Sequence, residues 1–276
     1  MTILTILLVL SACASVLLSR VCGLCAIWWL ILRALLFFIG AFVALTLLFF
    51  LGLLIYSLFI DRNKPVTKAH HGYRRFTAEV MRFILLLGRV HVHAEGVEQV
   101  DRTKPFLLVA NHRSNFDPFV AMRVFRGTEL IYICKPSIFQ IPIAGPFAHK
   151  CGFLSLNRED NREGLKTVLR AIEILKDEQT PVAVYPEGTR NKTDAALLPF
   201  RAGAFSMAKR SEAPVVIACT EHTEDVAHRF LLRRTDVTFK VLGVLTPEQI
   251  ANMRTTEISD LVHAQMEAYI KRNERN

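Results

Sequence analysis

The stretch that decides the fold is PFLLVANHRSNFDP, which runs from Pro105 to Pro118. It contains an apolar run, FLLV, then a polar turn, and it leads into the mixed run FVAMRVF. The apolar run is typical of a buried strand and the mixed run of a helix. The turn between them contains His112 and Asp117, five residues apart. In an α/β sheet, sites gather where strands end and helices begin, so this turn is a candidate functional site.

The His112–Asp117 pair admits two interpretations. Histidine titrates near neutral pH and can take a proton from a hydroxyl, and a carboxylate on its other ring nitrogen would fix the tautomer. Alternatively, Asp117 is only the N-cap of a helix that has Pro118 at its first position, and His112 is an ordinary turn residue. The spacing alone favours neither interpretation.

Strand-like and helix-like stretches alternate along the rest of this region. The strand-like runs are PFLLVAN, ELIYICK, GFLSLNR, PVAVYPEG, PVVIACT and VTFKVLG. Helical patterns cover Arg162–Glu178 and the segments AGAFSMAKRSE and ISDLVHAQMEAYIKR. An apolar stripe between Tyr73 and Leu87 predicts a further amphipathic helix, docked on the domain or, alternatively, lying along a membrane surface. The alternation predicts an α/β domain with a mostly parallel or mixed sheet flanked by helices.

The first sixty residues differ from the rest, since only Arg20 and Arg33 are charged there. The uncharged stretch Ala34–Ile60 would form a helix of about 40 Å, enough to cross a bilayer. We therefore expect an N-terminal membrane-helix anchor over 1–60 and a second domain over 61–276. Arg33 indicates either a break between two membrane helices or a helix end at the interface. One pass, two passes and an anchor within one leaflet all remain open.

The net charge of +9 lies almost wholly in the later part of the chain. A basic cluster directly follows the apolar segment and comprises Arg62, Lys64, Lys68, Arg74 and Arg75. Such a cluster favours the cytoplasmic side of a membrane and attracts anionic lipid. The membrane therefore explains the high charge better than nucleic acid does, and no nucleic acid partner is expected.

The six cysteines predict neither a disulfide framework nor a zinc site. The spacing of CGLC is that of a redox motif, but this segment is apolar, so buried thiols are the favoured interpretation. No metal ligand set is expected.

Two further polar stretches follow apolar runs. GFLSLNR ends in Arg158, and an arginine there is either a surface residue or the partner of an anion. YPEGTRNK contains Gly188, which permits a tight turn, and Arg190, which with the threonine hydroxyl could hold a phosphate. The alternative for YPEGTRNK is an ordinary turn. In APVVIACT, Pro214 indicates only the start of a strand.

Each stretch is weak evidence by itself, but their order is specific. NHRSNFDP, GFLSLNR, YPEGTR and APVVIA resemble the four sequence blocks of the glycerolipid acyltransferases. Among these the chain looks most like the 1-acyl-glycerol-3-phosphate acyltransferase family, which is PlsC-like and acts on lysophosphatidic acid. KPSIFQIPIAGPFAHKCG and LLPFRAGAF are similar to the intervening segments of that family. The resemblance covers residues 72 to 245.

The resemblance implies a reaction. An acyl group would pass from acyl-CoA or acyl-carrier protein to the free hydroxyl of 1-acyl-glycerol-3-phosphate, giving phosphatidic acid. His112 would be the general base and Asp117 would orient and stabilise it. No acyl-enzyme and no cofactor beyond the acyl donor are expected, and the fold would be that of the glycerolipid acyltransferases.

The resemblance also implies an acceptor site. The matching positions are Lys135, Arg158, Glu187, Gly188, Thr189 and Arg190. Arg158 and Arg190 would clamp the phosphate, and Lys135 would add positive potential. Glu187 would hydrogen-bond a glycerol hydroxyl or hold an arginine in place, and Gly188 would let the backbone approach.

Three alternatives remain open. The acceptor could be another lysolipid, such as lysophosphatidylcholine or a lyso-ornithine lipid. His112 and Asp117 could be metal ligands of a hydrolase, although His91 and His93 of HVH are better explained as an edge-strand pair. The chain could also be a non-catalytic lipid-binding protein. The expected location is a membrane, with the second domain on the cytoplasmic face of a cell inner membrane or of the endoplasmic reticulum.

Overall fold

The computed structural model describes residues 2–21, 27–62, 64, 66, 71–157 and 160–273. The chain divides into two compact units. One comprises Met1–Pro65 and Ile141–Phe147, and the other comprises Val66–Gln140 and Ala148–Asn276. The functional division at residue 60 stays a prediction.

The first unit contains two long helices, α1 (Ile3–Val21) and α2 (Ile27–Leu58), and the first part of the short helix α5 (Ala144–Lys150). Within the part of the chain that the structure describes, one helical segment, Trp29–Leu58, is long and apolar enough to cross a membrane by length and composition. Ile3–Leu18 is a shorter apolar stretch. Arg33 lies inside α2, so the helix break considered at that residue is not there. The apolar helix itself agrees with the predicted N-terminal anchor.

The second unit is built on a seven-stranded sheet. Its strands are β1 (Val90–Glu95), β2 (Leu107–Ala110), β3 (Ile131–Cys134), β4 (Leu154–Ser155), β5 (Val182–Val184), β6 (Val215–Glu221) and β7 (Thr235–Leu245). Their order is β1-β7-β6-β2-β5-β3-β4. All neighbouring pairs are parallel except β6 and β7, which are antiparallel. The predicted mixed α/β sheet is confirmed, and HVH does lie in the edge strand β1.

Helices cover both faces of the sheet. The remaining helices are α3 (His71–Leu87), α4 (Asp117–Val124), α5 (Ala144–Lys150), α6 (Asn161–Lys176), α7 (Phe205–Ser211), α8 (Glu224–Arg229), α9 (Pro247–Ile250) and α10 (Thr255–Asn273). Alternate residues of β2 point to opposite faces, as a strand requires. Leu107 and Val109 pack with apolar residues of α6, α7 and α10. Leu108 and Ala110 pack with those of α3 and α4. Because both faces are buried, FLLV is apolar without interruption.

α3 docks on the domain, as the favoured interpretation of its apolar stripe predicted. Val80, Phe83 and Leu85 are buried. Arg74, a member of the basic cluster that follows the apolar segment, is buried as well, and its Nε donates a hydrogen bond of 2.8 Å to the Cys151 carbonyl oxygen.

The sheet order places the polar turns together. β2 lies between β5 and β6 and is parallel to both. The carboxyl ends of these three strands therefore meet at one edge of the sheet. The segments that follow them begin at Asn111, Tyr185 and His222, and they form the candidate site.

Candidate active site

Asp117 and His112 are in direct contact. The Asp117 Oδ2 lies 2.7 Å from the His112 Nδ1. The Asp117 side chain is fully buried, whereas 19% of the His112 side chain is exposed. The pair thus has one buried member, which fixes the ring, and one member that solvent or a substrate can reach.

Asp117 also holds the turn that carries His112. Its Oδ2 accepts hydrogen bonds of 2.8 Å from the backbone N–H groups of Arg113 and Ser114. The carboxylate therefore bonds to N–H groups that precede it in the chain, whereas a simple N-cap would bond to N–H groups of α4. A carboxylate that accepts several N–H bonds is stabilised in its ionised form. Of the two interpretations of the sequence, the structure therefore shows the one in which Asp117 pairs with His112.

Thr223 completes the contacts of the carboxylate. This buried threonine follows β6 and its hydroxyl donates to the Asp117 Oδ1. Thr223 was not a predicted site residue, and it is far from Asp117 in the sequence. Only the pairing of β2 with β6 brings the two together.

Asn111 fixes the start of the same turn. Its amide donates to the Thr220 carbonyl oxygen at 2.9 Å and accepts from the Thr220 N–H at 2.7 Å. The side chain thereby extends the pairing of β2 with β6 beyond the last backbone pair, Ala110 with Ala218. An asparagine directly before the histidine was the available sequence signal for this role.

Glu187 ties the YPEGTR segment to the turn that carries His112. Its Oε1 accepts from the His112 backbone N–H at 2.7 Å, and its Oε2 accepts from the Leu198 N–H at 3.0 Å. Glu187 is 5% exposed. Burial raises the pKa of Glu187 above its usual value, and the hydrogen bonds from Leu198 and His112 act in the opposite direction. The structure thus gives Glu187 backbone partners, while its contact with an acceptor hydroxyl or an arginine stays a prediction.

Gly188 closes a tight turn. Its N–H donates to the Tyr185 carbonyl oxygen at 2.9 Å. Its φ is 75°, in the left-handed region that glycine adopts readily. Beyond the turn, the Asn191 N–H donates to the His112 carbonyl oxygen at 2.7 Å. Both backbone groups of His112 are therefore bonded to the segment that contains YPEGTR.

Tyr185 stacks on the imidazole. The ring centroids of His112 and Tyr185 are 4.3 Å apart and the planes differ by 17°. Tyr185 stacks in turn on Tyr132, whose hydroxyl donates to the Pro118 carbonyl oxygen. Burial raises the pKa of Tyr185 well above its usual value, so its phenol is neutral. The stack restrains the imidazole plane, and an aromatic residue before PEG was the available sequence signal for it.

The predicted acceptor residues differ in their exposure to solvent. Thr189 is exposed, and Arg190 is half-buried in the segment bonded to His112. Lys135 is exposed directly after β3. Arg158 lies outside the described residues. The binding roles of all four stay predictions.

A cavity of about 350 Å³ lies next to the site. Its wall includes Tyr185, Pro186 and Gly188, and much of the rest is apolar, contributed by Leu156, Met207 and neighbouring side chains. Tyr185 therefore separates this cavity from the His112 ring on which it stacks. The cavity can hold an apolar group close to the turn that carries His112.

Cys134 and Cys151 are poor nucleophiles. Cys134 lines the cavity, and burial raises the pKa of its thiol to about 12. Burial raises the pKa of Cys151 to about 11. Both thiols are protonated at neutral pH, and the thiolate is the reactive form. Among the described residues, no three His, Cys, Asp or Glu side chains are grouped so that they could hold a metal ion.

The comparisons with known proteins agree with this geometry. Residues 91–220 match the model of the Acyltransferase family. This segment includes β1, β2, the His112–Asp117 pair and the YPEGTR turn, and it ends in β6. Over this segment, slightly less than half of its length, the chain is similar to the acyltransferase domains.

Within that class, the relatives share one name. The chain is 29% identical over 185 residues to the 1-acyl-sn-glycerol-3-phosphate acyltransferase of Saccharomyces cerevisiae, covering 66% of this chain and 60% of the yeast protein. It is 32% identical over 162 residues to a chloroplastic 1-acyl-sn-glycerol-3-phosphate acyltransferase of Brassica napus, covering 58% of this chain and 44% of that protein. The chain thus spans less than two thirds of the length of these curated relatives. The resemblance to the 1-acyl-sn-glycerol-3-phosphate acyltransferases is confirmed.

A solved structure has the same fold. The 1-acyl-sn-glycerophosphate acyltransferase PlsC from Thermotoga maritima superposes with a TM-score of 0.57 at 21% identity. The match covers 82% of this chain and 96% of that one. At this identity the likeness shows the fold, and the roles of individual residues are argued from their contacts.

The bond from Thr223 to Asp117 can be tested by substitution. Thr223→Val keeps the side-chain shape but removes the hydroxyl donor, and a hydrogen bond to a charged group contributes about 1.5–3 kcal/mol. We expect the kcat of acyl transfer to fall about 10- to 100-fold if this bond acts through the orientation of His112. The measurement is kcat and KM with a fixed acceptor and donor.

Thr223→Ser is the matched control, because it keeps the hydroxyl and should retain most of kcat. Equal kcat values for the valine and serine variants would contradict a positioning role for this hydroxyl.

Proposed function

We propose that this chain transfers an acyl group from a thioester donor to the free hydroxyl of 1-acyl-glycerol-3-phosphate, giving phosphatidic acid. The observation that carries the proposal is the His112–Asp117 contact of 2.7 Å, with Asp117 buried and His112 partly exposed. The shared name of the relatives supports the acceptor.

The contact supports Nε2 as the proposed base. With Asp117 as acceptor, the His112 Nδ1–H donates the hydrogen bond, so the lone pair of the neutral imidazole is on Nε2. In the proposed reaction, Nε2 takes the proton of the acceptor hydroxyl while its oxygen attacks the thioester carbonyl. The tetrahedral intermediate then expels the thiolate, which takes the proton from the imidazolium. Asp117 stabilises the imidazolium throughout.

The transfer is proposed to be direct, without an acyl-enzyme. The high pKa of Cys134, which lines the neighbouring cavity, disfavours a thiolate there. The direct step needs no protein nucleophile, because the acceptor hydroxyl is itself the nucleophile. The donor can be acyl-CoA or acyl-carrier protein, and no cofactor is required beyond it.

A metal-dependent hydrolase is less compatible with the site. The two Asp117 oxygens already accept hydrogen bonds from one ring nitrogen, two backbone N–H groups and one hydroxyl. A cation at this carboxylate would have to displace those donors. The geometry therefore favours a carboxylate that orients His112.

The acceptor site is proposed beside the YPEGTR turn. Arg190 is half-buried on the segment bonded to the His112 carbonyl, and a guanidinium suits a phosphate monoester. Thr189 adjoins it, Lys135 is proposed to contribute from the segment after β3, and Arg158 is proposed to contribute as well. The apolar cavity behind Tyr185 is large enough for part of a hydrocarbon chain.

The membrane is the proposed source of the acceptor and the destination of the product. Trp29–Leu58 is long and apolar enough for an anchor. The basic residues that follow α2 favour a cytoplasmic location of the second domain.

His112 and the acceptor are tested together with an acceptor panel. Membranes with the full chain receive labelled oleoyl-CoA and one of four acceptors: 1-acyl-glycerol-3-phosphate, glycerol-3-phosphate, lysophosphatidylcholine or a lyso-ornithine lipid. We expect labelled phosphatidic acid from the wild type and a loss of about 10²- to 10⁴-fold for His112→Ala, the usual range for a general base.

The control is His91→Ala, because His91 is an exposed histidine of β1 and should not affect turnover. Labelling of a different lysolipid would change the acceptor and keep the base. Normal turnover by His112→Ala would refute the general-base assignment. If no acceptor were labelled, even with an acyl-carrier protein donor, the non-catalytic alternative would be favoured.

The proposed phosphate contact of Arg190 predicts a selective kinetic defect. Arg190→Ala should raise the KM for 1-acyl-glycerol-3-phosphate about 10- to 100-fold, because a hydrogen bond to a charged group contributes about 1.5–3 kcal/mol. The KM for the acyl donor should change little. Initial rates with each substrate varied in turn give both constants.

Lys192→Ala is the matched control, since Lys192 is an exposed cation two residues away. An equal rise of both KM values in Arg190→Ala, or the same acceptor defect in Lys192→Ala, would exclude a specific phosphate contact.

A further inference from the structure

The loop between α8 and β7 presents two exposed leucines. Leu231 is 59% exposed and Leu232 is 76% exposed. Single exposed leucines are common on soluble surfaces, but an adjacent pair at this exposure calls for an explanation. Leu231 also has a φ of 64°, in the left-handed region that leucine rarely adopts. Because Leu231 is mostly exposed, little apolar burial offsets its unfavourable backbone conformation.

The loop is nevertheless held in place. The N–H groups of Leu232 and Arg233 both donate to the Arg229 carbonyl oxygen at 2.9 Å. The Arg89 guanidinium donates to the Leu232 carbonyl oxygen at 3.5 Å. The leucines therefore project from an ordered turn.

Arginines surround the leucine pair. Arg89, Arg229, Arg233 and Arg234 are all exposed. Two of them are opposed by acids, since Arg229 pairs with Asp225 and Arg234 pairs with Asp236. Four arginines against two aspartates leave two positive charges. We call Leu231, Leu232 and these four arginines the leucine–arginine surface.

We propose that the leucine–arginine surface docks on an anionic lipid membrane. Exposed apolar side chains within a basic rim suit an interface where leucines enter the acyl boundary and arginines meet phosphate groups. Each basic residue near an anionic surface adds to the attraction. This surface belongs to the second unit, and it would bring that unit itself into contact with lipid head groups.

The surface is connected to the catalytic turn at both ends of α8. At the start, Thr223 donates to Asp117. At the end, the ring of Phe230 stacks on that of Phe116, with centroids 5.9 Å apart. Phe116 directly precedes Asp117. Docking would thus place the lipid surface beside the segment that holds the proposed base, and this role in delivering the acceptor rests on the proposed function.

Photocrosslinking of the full chain tests the docking. The photoreactive residue p-benzoylphenylalanine replaces Leu232 in one preparation and Leu261 in another. Leu261 is an exposed leucine of α10 and is the matched control. Each protein is reconstituted in phosphatidylcholine vesicles with or without phosphatidylglycerol, irradiated and analysed for lipid adducts by mass spectrometry. We expect lipid adducts at position 232, increased by phosphatidylglycerol, and none at position 261.

Equal adducts at the two positions, no lipid adduct at 232, or adducts only with protein would overturn the proposal. This readout needs no turnover, so it distinguishes failure of the docking surface from failure of the proposed function.

A kinetic test addresses acceptor delivery. With acceptor in vesicles, the double variant Leu231→Ser/Leu232→Ser and the variant Arg233→Gln should each raise the apparent KM about tenfold, as expected from lost interfacial contacts. Turnover of a water-soluble short-chain acceptor should stay at the wild-type level, which also shows that the variants are folded. An equal loss with both acceptors would refute a delivery role.

Discussion

The site depends on one buried carboxylate. Asp117 accepts hydrogen bonds from the His112 ring, from the N–H groups of Arg113 and Ser114, and from the Thr223 hydroxyl. A buried charge is unfavourable unless such donors surround it. The turn that satisfies Asp117 is therefore also the turn that presents His112. The hydrogen bonds that stabilise this segment therefore also orient His112, the proposed base.

The sheet brings the contacts of this turn together from distant parts of the sequence. β2 leads to His112, β6 leads to Thr223, and β5 leads to Glu187, whose carboxylate accepts the His112 backbone N–H. Because β2 lies between the other two strands, three separate segments converge on one turn. From Thr223 the chain continues through α8 to Phe230, and this segment connects the leucine–arginine surface to the site. A membrane contact on that surface and acyl transfer at His112 would thus share one structural unit.

The strands and the position of the site could be predicted from apolar runs that end in polar turns, because local periodicity determines both. Contacts between distant segments could not. Nothing in the local sequence showed that Thr223 would reach Asp117, or that Glu187 would bond to backbone. Nor did the basic cluster indicate that Arg74 is buried, because its bond to the Cys151 carbonyl depends on tertiary structure. Arg33 lies inside α2, since a single charge near a helix start does not have to end the helix.

The most direct test of this account is a double-mutant cycle on His112 and Asp117. The quantity measured is kcat/KM for phosphatidic acid formation by the wild type, His112→Ala, Asp117→Asn and the double variant. If Asp117 acts through His112, the double variant should be within about threefold of His112→Ala alone, because residues that act as a unit are strongly non-additive. If the two losses multiply instead, Asp117 contributes independently of the imidazole, and the central claim is wrong.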